Sequence, residues 1–415
     1  MKNQSKNKKN KIMSIPLLSV VIATKDREQY CIAAIDSILS YKDERIEITV
    51  ADNSATTKVK DYVATLNHPA VKYTFDNGPV SSIANFNKAM DLATGEYVVF
   101  IGDDDTILPN CANWAQWMKD HNIESLSSSS TVNYIWPIAD NPKLLTGELL
   151  VPESFTFKVT EHDNAANLKR FMADGTVAYQ AYNLSKVYHG IVKKAVMDKI
   201  KAQTGHYFGG VSPDLYSAAA LSINIKNNYS VDAPFSVLGA CQASTTYGVI
   251  AKQHVGHIKD APHLRHRDGY QIEGAIPKIY SAYVVWTESL LKSLKENNRE
   301  DLINDINFPL YYAHINDEFM VMDKQFLGTL SKELESCFKD RNFGPEEMKA
   351  FEGYKKHLNY INQKHKVKSL ILRSLQKLGL MKRKSGAATI KNMPDIRDVV
   401  AFVDKQVDMA KLPQL

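Results

Sequence analysis

The feature that most constrains the fold is an alternation of short apolar runs and amphipathic segments between residues 17 and 102. Apolar runs such as LLSVVIAT (17–24) and GEYVVFIG (95–102) predict buried strands, and the amphipathic REQYCIAAIDSILSY (27–41) predicts a helix. Strands that alternate with helices form parallel sheets with helices on both faces. We therefore predict an α/β fold here. The other predicted elements are strands at 45–54 and 70–77 and helices at 57–66 and 81–93.

Beyond residue 110 this alternation weakens, and 140–165 is predicted to be irregular. Helical patterns dominate from about residue 270. We predict a basic flexible tail at 1–15, a sheet-based domain at 16–265 and a mainly helical C-terminal domain at 266–415. A chain of 415 residues, 44% of them hydrophobic, can bury the cores of two such domains.

Charge and cysteine usage narrow the class of protein. Lys and Arg number 51 against 46 Asp and Glu, and a net charge of +5 is too small to indicate a nucleic-acid partner. Cysteines without paired spacing argue against a zinc site or a disulfide scaffold and favour a reducing, cytoplasmic location. No uninterrupted apolar run approaches the roughly 20 residues that span a bilayer, so we expect a soluble or membrane-surface protein. The cysteines are Cys31, Cys111, Cys241 and Cys337.

Polar residues follow each predicted strand, in the sequences TKDR, ADNS, DNGP and GDDD. Ligand sites of parallel α/β sheets lie outside the carboxyl ends of the strands, where these residues would meet. Asp26 and Asp52 supply acceptors suited to a nucleobase or a ribose hydroxyl, and Arg27 supplies a cation suited to phosphate. The sequence therefore predicts a polar ligand site at this edge.

Three aspartates, Asp103 to Asp105, follow the fourth strand. One reading is a turn or helix-capping cluster, although capping needs only one aspartate. A calcium loop is a poorer reading because its spaced oxygen ligands and glycine are missing. The third reading is a magnesium or manganese site, in which one or two carboxylates hold the cation and phosphate oxygens complete its shell. The carboxylates alone leave the first and third readings open.

Three segments in this order resemble the nucleotide-sugar domain of family 2 glycosyltransferases. They are LSVVIATKDREQYCIAAIDSIL, EITVADNSATT and NFNKAMDLATGEYVVFIGDDD. The resemblance covers roughly residues 16–245. It implies a Rossmann-like GT-A fold, a nucleotide-sugar donor, commonly a UDP-sugar, and inversion at the anomeric carbon. The acceptor it implies is a glycan or lipid-linked glycan of a bacterial-type surface polysaccharide.

Matched by position, the resemblance places Thr24, Asp26 and Arg27 in the first nucleotide-binding loop and Asp52 at the base. Many members have Arg-Asn before a glycine where this chain has Asn85, with Ala84 and Lys88 as the departures. The DDD segment matches the family's Asp-X-Asp motif, whose metal would be Mn²⁺ or Mg²⁺. The residues so predicted to bind the donor are Thr24, Asp26, Arg27, Asp52, Asn85, Asp103 and Asp104, and those predicted to bind the metal are Asp103 and Asp105.

The catalytic base is expected at the start of a helix about one hundred residues after the metal motif. FGGVSPDLYSAAALSI resembles that segment, and Pro213-Asp214 stands where the family has Glu-Asp. The resemblance implies Asp214 as the base, whereas the residues alone favour an ordinary acidic first-turn residue. His189 either faces the acceptor or is structural. His254 or His257 is a candidate third metal ligand, but their segment also suits a mobile basic loop over a diphosphate.

The C-terminal part carries two further patterns. Residues 355–384 contain ten Lys and Arg and no acid, with apolar residues at helical spacing, which is typical of a helix on an anionic membrane or of a docked helix with a solvated basic face. The amphipathic segment 393–412 either packs on the core or pairs with a second chain as a homodimer. A sugar-phosphate nucleotidyltransferase and an inactive nucleotide-sugar-binding module are the alternative functions.

Overall fold

A computed structural model describes residues 15–139, 141, 146–244, 256–322, 326–377 and 387–407. The strands are β1 (Leu18–Thr24), β2 (Ile46–Asp52), β3 (Val71–Phe75), β4 (Tyr97–Ile101), β5 (Thr106–Ile107), β6 (Ser125–Ser128), β7 (Val132–Ile135), β8 (Glu148–Pro152), β9 (Val159–His162), β10 (Gly190–Lys193), β11 (Asn228–Val231), β12 (Ser236–Ala240), β13 (Gly256–His257), β14 (Ile279–Tyr280) and β15 (Ala387–Lys391). The helices are α1 (Glu28–Leu39), α2 (Lys58–Leu66), α3 (Ser82–Asp91), α4 (Cys111–Asp120), α5 (Asn164–Ala173), α6 (Lys194–Thr204), α7 (Pro213–Asn224), α8 (Ala282–Glu296), α9 (Phe308–Met322), α10 (Leu327–Asp340), α11 (Pro345–Lys377) and α12 (Ile396–Asp404).

The main sheet has the strand order β3-β2-β1-β4-β10-β6-β11-β9. The first four strands are parallel, and β10 runs antiparallel to both β4 and β6. Every residue of β1, β2 and β4 is buried, as expected for parallel strands that helices cover on both faces. The predicted α/β class is confirmed, and the carboxyl ends of these four strands meet at one edge.

A second sheet, of order β15-β8-β7-β12-β5, packs beside the first. The prediction of irregular structure at 140–165 is wrong, because this range contains β8 and β9. β8 pairs with β7 and with the distant β15, and β9 pairs with β11. Both strands are short: β8 buries only Leu149 and Val151, and β9 has no buried residue. Their stability therefore depends on these partners.

The helical part forms a second apolar core, in which residues from α5, α7, α8, α9, α10 and α11 meet. Leu215 of α7 and Leu290 of α8 are both fully buried in this core. The helix that carries Asp214 therefore packs on the C-terminal helices. In the part of the chain that the structure describes, no helix has the length and apolar character needed to cross a bilayer.

The last described segment returns to the first core. α12 packs against α1 and buries Ile396, Val399 and Val403 beside the main sheet. The Tyr134 hydroxyl donates a hydrogen bond of 2.8 Å to the Met393 carbonyl, which attaches the segment to β7. Of the two readings of this segment, the structure shows packing on the chain's own core.

Several predicted features fall outside the described residues. They are residues 1–14 of the basic tail, His254, residues 378–384 of the basic segment and the side chains of that segment from residue 366 onward.

Candidate functional site

Three consecutive aspartates follow β4 at the centre of the main sheet. Gly102 connects β4 to Asp103, Asp104 and Asp105, which expose only 0%, 4% and 2% of their surface. A Cβ at Gly102 would come within 2.7 Å of the Tyr188 hydroxyl and 2.8 Å of Asp105 Oδ2, so the close approach requires glycine. The three aspartates are thus a buried, closely packed centre of negative charge.

Asp105 is held by four hydrogen-bond donors from three parts of the chain. Its Oδ1 accepts a hydrogen bond from the Gly239 amide at 2.6 Å, and its Oδ2 accepts one from the Gly102 amide at 2.6 Å. Oδ2 also lies 2.9 Å from His189 Nε2 and accepts a hydrogen bond of 3.3 Å from Tyr188. Burial opposes ionisation, but His189 and the amide donors hold the pKa of Asp105 below its usual value. Asp105 is therefore the ionised, fixed member of the cluster.

The two carboxylate oxygens of Asp103 differ in their hydrogen bonding. Its Oδ2 accepts a hydrogen bond of 2.7 Å from the Thr24 hydroxyl. Its Oδ1 lies 3.1 Å from Arg27 Nη2, yet it accepts no well-directed hydrogen bond from the described residues. Burial and the neighbouring Asp104 raise the pKa of Asp103 to about 7, although Arg27 opposes the shift. Asp103 thus keeps one buried oxygen that a ligand could occupy.

Arg27 is the cation of this edge. Its guanidinium lies 3.1 Å from Asp103 and 3.5 Å from Asp104, and 26% of its side chain is exposed. Asp104 also accepts a hydrogen bond of 2.9 Å from the Cys241 amide, and burial and Asp105 together raise its pKa. Arg27 therefore offsets the buried carboxylates while about a quarter of its side chain stays exposed, and its guanidinium is the group suited to a phosphate.

The loops after β1 and β2 are joined by their aspartates. Asp26 Oδ1 accepts a hydrogen bond of 2.8 Å from the Ala55 amide, and the Asp26 backbone has the left-handed φ of 54°. Asp52 is buried, and its oxygens accept hydrogen bonds from the Ser54 amide at 2.8 Å and the Tyr73 hydroxyl at 2.7 Å. Both predicted donor-binding carboxylates lie at the expected edge and also shape the loops there.

Two asparagines of α3 hold backbone segments near the site through side-chain hydrogen bonds. Asn85 Nδ2 donates to the carbonyls of Thr24 at 3.1 Å and Ala51 at 3.2 Å, so it ties together the ends of β1 and β2. Asn87 accepts hydrogen bonds from the Tyr207 and Phe208 amides, at 2.8 and 3.1 Å. Asn85 is buried, and its amide protons are directed at the protein backbone.

Asp214 lies in the first turn of α7, after Pro213, where the helix dipole favours a carboxylate. Its carboxylate accepts no hydrogen bond from the described residues, and enclosure by the protein raises its pKa to about 6. Asp105 adds to this shift, whereas His189 and Lys186 oppose it. The structure therefore brings Asp214 within electrostatic reach of the aspartate cluster, as the resemblance implies for a base.

The loop before Asp214 is shaped by the helical part of the chain. Ser289 Oγ, from α8, accepts hydrogen bonds from the amides of Val211 at 2.9 Å and Ser212 at 2.7 Å. Arg267 donates to the Gly210 carbonyl, and Gly210 has a φ of 60° with Ser289 packed against it. The start of α7 is thus set by contacts that the sequence does not reveal, because they join segments far apart in the chain.

His189 is the site residue whose role the sequence leaves open. Its ring joins Asp105 to Ser236, with Nδ1 3.0 Å from Ser236 Oγ, and its backbone has a φ of 53°. The KVYHG segment points to this region of the chain, but no local pattern identifies Asp105 as the partner of His189. The sequence around Gly239 does not predict its role in the site either. A Cβ at Gly239 would meet the Asp104 carbonyl at 1.7 Å, and this contact forms only in the folded chain.

A divalent cation would find few protein ligands here. Within the described ranges, no group of three or more His, Cys, Asp or Glu residues is arranged to hold a metal. The under-occupied Asp103 Oδ1 fits one bond to a cation, whereas both oxygens of Asp105 already accept hydrogen bonds and its Oδ2 lies 2.9 Å from His189 Nε2. A cation here would take most of its shell from phosphates and water. His257 is exposed, and its ring contacts that of Phe326.

Comparison with known proteins places part of the chain in a family. Residues 19–130 match the profile of glycosyl transferase family 2. A putative colanic acid biosynthesis glycosyl transferase, WcaA of Escherichia coli K12, is 35% identical over 97 residues, which cover 23% of this chain and 35% of that protein. The GalNAc(5)-diNAcBac-PP-undecaprenol beta-1,3-glucosyltransferase of Campylobacter jejuni is 33% identical over 100 residues, 23% of this chain and 31% of that protein. The chain thus spans about a third of the length of these relatives.

Two solved structures align over more of the chain. S. aureus TarS 1–349 in complex with UDP-GlcNAc is 14% identical, with a TM-score of 0.46 over 91% of this chain and 97% of that one. The mannosyltransferase PcManGT from Pyrobaculum calidifontis, in complex with GDP-Man and Mn²⁺, is 14% identical, with a TM-score of 0.37 over 78% of this chain and 86% of that one.

Proposed function

We propose, from the match of residues 19–130 to glycosyl transferase family 2, that the protein is an inverting glycosyltransferase that moves a hexosyl or N-acetylhexosaminyl group from a UDP-sugar. The proposed acceptor is a glycan or lipid-linked glycan in bacterial-type surface polysaccharide synthesis, which the names of the two relatives support. The observation that supports the proposal is the buried aspartate cluster at the carboxyl edge of the parallel strands, with the proposed base, Asp214, in electrostatic interaction with Asp105.

In this proposal Asp214 is the general base. An acceptor hydroxyl oxygen attacks the anomeric carbon from the face opposite the diphosphate, and Asp214 takes the hydroxyl proton as the new C–O bond forms. The bond between the anomeric carbon and the diphosphate oxygen breaks, so the configuration inverts. A carboxylate with a pKa of about 6 is ionised at neutral pH and is a stronger base than an ordinary aspartate.

The leaving diphosphate needs positive charge, and Arg27 is placed to supply it. Asp103 and Asp105 are proposed to hold the divalent cation, Mn²⁺ or Mg²⁺, which would neutralise the diphosphate when bound. Thr24, Asp26, Asp52, Asn85 and Asp104 are proposed to position the donor by shaping the loops and the acidic cluster around it. The hydrogen bonds from Asn85 to two backbone carbonyls support this indirect role.

Location and assembly are further parts of the proposal. We propose a cytoplasmic enzyme at the inner face of the membrane, with the basic segment 355–384 on anionic lipid and the C-terminal helices available for a homodimer. Sedimentation with anionic and with neutral vesicles tests the first point, and light scattering tests the second. Equal binding to both vesicle types would contradict the membrane proposal. A monomer at all concentrations would contradict the homodimer.

Binding of the donor nucleotide is tested by thermal stabilisation. UDP with Mn²⁺ is expected to raise the Tm, because a ligand present at about 100 times its Kd stabilises the folded state by about 2.7 kcal/mol. UDP with EDTA should give a smaller rise, and ADP and GDP serve as comparison nucleotides. If no nucleoside diphosphate changes the Tm, the donor proposal is wrong. Binding without hydrolysis or transfer of any nucleotide sugar would instead indicate an inactive binding module.

The contact between Ser289 and the loop before Asp214 gives a second prediction. Ser289→Ala leaves the amides of Val211 and Ser212 without their acceptor, which costs about 1–3 kcal/mol per buried group when no water replaces it. We expect a lower kcat with little change in the KM for the donor, because the loop carries the base. The matched control is Ser222→Ala, a buried serine of α7 bonded to a carbonyl of its own helix. Equal losses of kcat in both variants would contradict a positioning role.

A further inference from the structure

A small pocket adjoins the aspartate cluster. His189 lines it and also contacts Asp105, so the pocket and the cluster share this ring. The remaining polar lining comes from Ser128, Ser130, Thr131, Lys186 and Ser236. No acidic side chain lines the pocket, although the neighbouring cluster is strongly acidic.

The serine hydroxyls of this pocket are already engaged. Ser128 donates to the Ser130 carbonyl at 2.7 Å, and Ser130 donates to Asp232. Ser236 Oγ lies 3.0 Å from His189 Nδ1. These contacts hold the walls in place, and the hydroxyl oxygens retain capacity for only weak further contacts.

Lys186 is the group of the pocket that lacks a partner. Its ammonium forms no ion pair or hydrogen bond with the described residues, and its side chain is only partly exposed. Burial lowers its pKa, while Asp214 opposes the shift from a distance. A partly buried ammonium without a partner is unfavourable, and an anion in the pocket would stabilise it.

The two cations of the site, Arg27 and Lys186, interact with different carboxylates. Arg27 interacts with Asp103 and Asp104, on the side where the donor diphosphate is proposed to bind. Lys186 instead interacts with Asp214, the proposed base, which must face the acceptor hydroxyl. Lys186 therefore belongs to the acceptor side of the site.

We infer that Lys186 and its pocket bind an anionic substituent of the acceptor, a phosphodiester or a carboxylate, close to the hydroxyl that Asp214 deprotonates. This inference rests on the proposed function, which it refines: the acceptor is an acidic glycan or a phosphate-linked polymer. The ion pair with Lys186 would orient the acceptor, and the cost of burying the ammonium would be offset only when an acidic acceptor is bound.

The test uses the full chain saturated with UDP and Mn²⁺, so that the donor phosphate site is occupied. Glycerol 1-phosphate and glucuronate are the anionic probes, and glycerol and glucose are their uncharged counterparts. We expect the anionic probes to bind, measured by calorimetry, and the uncharged ones not to bind. Lys186→Met should weaken binding of the anionic probes at least about tenfold, Lys186→Arg should retain most of it, and raised salt should weaken it.

The matched control is Lys193→Met, because Lys193 lies on β10 and contacts Asn122 outside the pocket. It should leave probe binding unchanged. Equal affinity of wild type and Lys186→Met for the anionic probes, or no binding of either probe, would overturn the inference. UDP binding, measured in the same way, tests the proposed function separately. If UDP binds but Lys186→Met has no effect on the anionic probes, this inference alone is wrong. If UDP fails to bind and the probes still need Lys186, the proposed function is wrong and the anion site stands.

Discussion

Replacing Asp214 with asparagine is expected to lower the rate of sugar transfer by about 10²–10⁴-fold, the usual contribution of a general base. Asparagine has nearly the same shape but cannot accept the acceptor's proton. Affinity for UDP should stay unchanged, because Asp214 is proposed to face the acceptor. The measurements are single-turnover transfer for the rate and calorimetry for UDP. Transfer at an undiminished rate would place the base elsewhere.

The pH dependence of kcat/KM is a second test of Asp214 as the general base. In wild type, kcat/KM should rise as the pH increases through about 6, where Asp214 loses its proton, and then level off. Asp214→Asn should lose this step. Its stability should not suffer at high pH: the folded-state pKa is raised above the unfolded value, so the carboxylate's ionisation removes stability as the pH rises through about 6. The asparagine side chain does not ionise, so the variant should be relatively more stable at pH 8 than at pH 5.

A suitable control is Asp398→Asn, which makes the same chemical change in the first turn of α12. Asp398 is exposed and far from the cluster in the chain, so its replacement should cost only the weak interaction with the helix dipole, about 0.3–1 kcal/mol. Transfer should be unaffected. A comparable loss of transfer in both variants would show that helix stability, not base chemistry, limits the rate.

Removing the Arg27 guanidinium should impair both donor binding and stability. Arg27→Ala deletes the proposed phosphate contact, so UDP affinity should fall about tenfold or more, as for a charge-assisted hydrogen bond of about 1.5–3 kcal/mol. It also leaves Asp103 and Asp104 without their cation. We expect a loss of about 1–3 kcal/mol in the free energy of unfolding at pH 8, measured by denaturant titration.

The pH and a second substitution identify the cause of that loss. The pKa of Asp103 is already raised to about 7 and should rise further without Arg27, so protonation at pH 6 should relieve part of the destabilisation. Adding Asp103→Asn to Arg27→Ala should restore stability at pH 8, since the amide oxygen can still accept from Thr24 and one buried charge is gone. UDP affinity should not recover.

The control for this pair is Arg299→Ala, which breaks the exposed ion pair between Arg299 and Asp301. Exposed pairs contribute about 0–1 kcal/mol, so its effect should be small and nearly independent of pH in this range. A double variant, Arg27→Ala with Asp103→Asn, that is no more stable than Arg27→Ala would mean that the buried charge of Asp103 is not the origin of the loss.

Local patterns predict the first half of the main sheet well. Predicted strands at 17–24, 45–54 and 95–102 match β1, β2 and β4 to within about two residues at most ends. These strands are buried on both faces, so each is a nearly continuous apolar run that needs no knowledge of its partner. Local patterns miss β8 and β9 because their side chains are only partly buried and their pairing depends on β15 and β11.

By itself, the sequence determined the parallel sheet, the edge at which its polar residues gather, and the candidates Asp103 and Asp105, because a strand's apolar run and the residues that end it are adjacent in the chain. Asp214 became a candidate only through the resemblance to family 2 glycosyltransferases. Only the tertiary structure decided how those candidates differ. Asp105 accepts hydrogen bonds from His189 and the Gly239 amide, Asp103 keeps an under-occupied oxygen, and burial raises the pKa of Asp214, in a helix that packs on α8. Burial and charge pairing depend on residues that are far apart in the sequence. Burial and charge pairing in turn set the pKa of a carboxylate and decide which of its oxygens lack a hydrogen-bond partner.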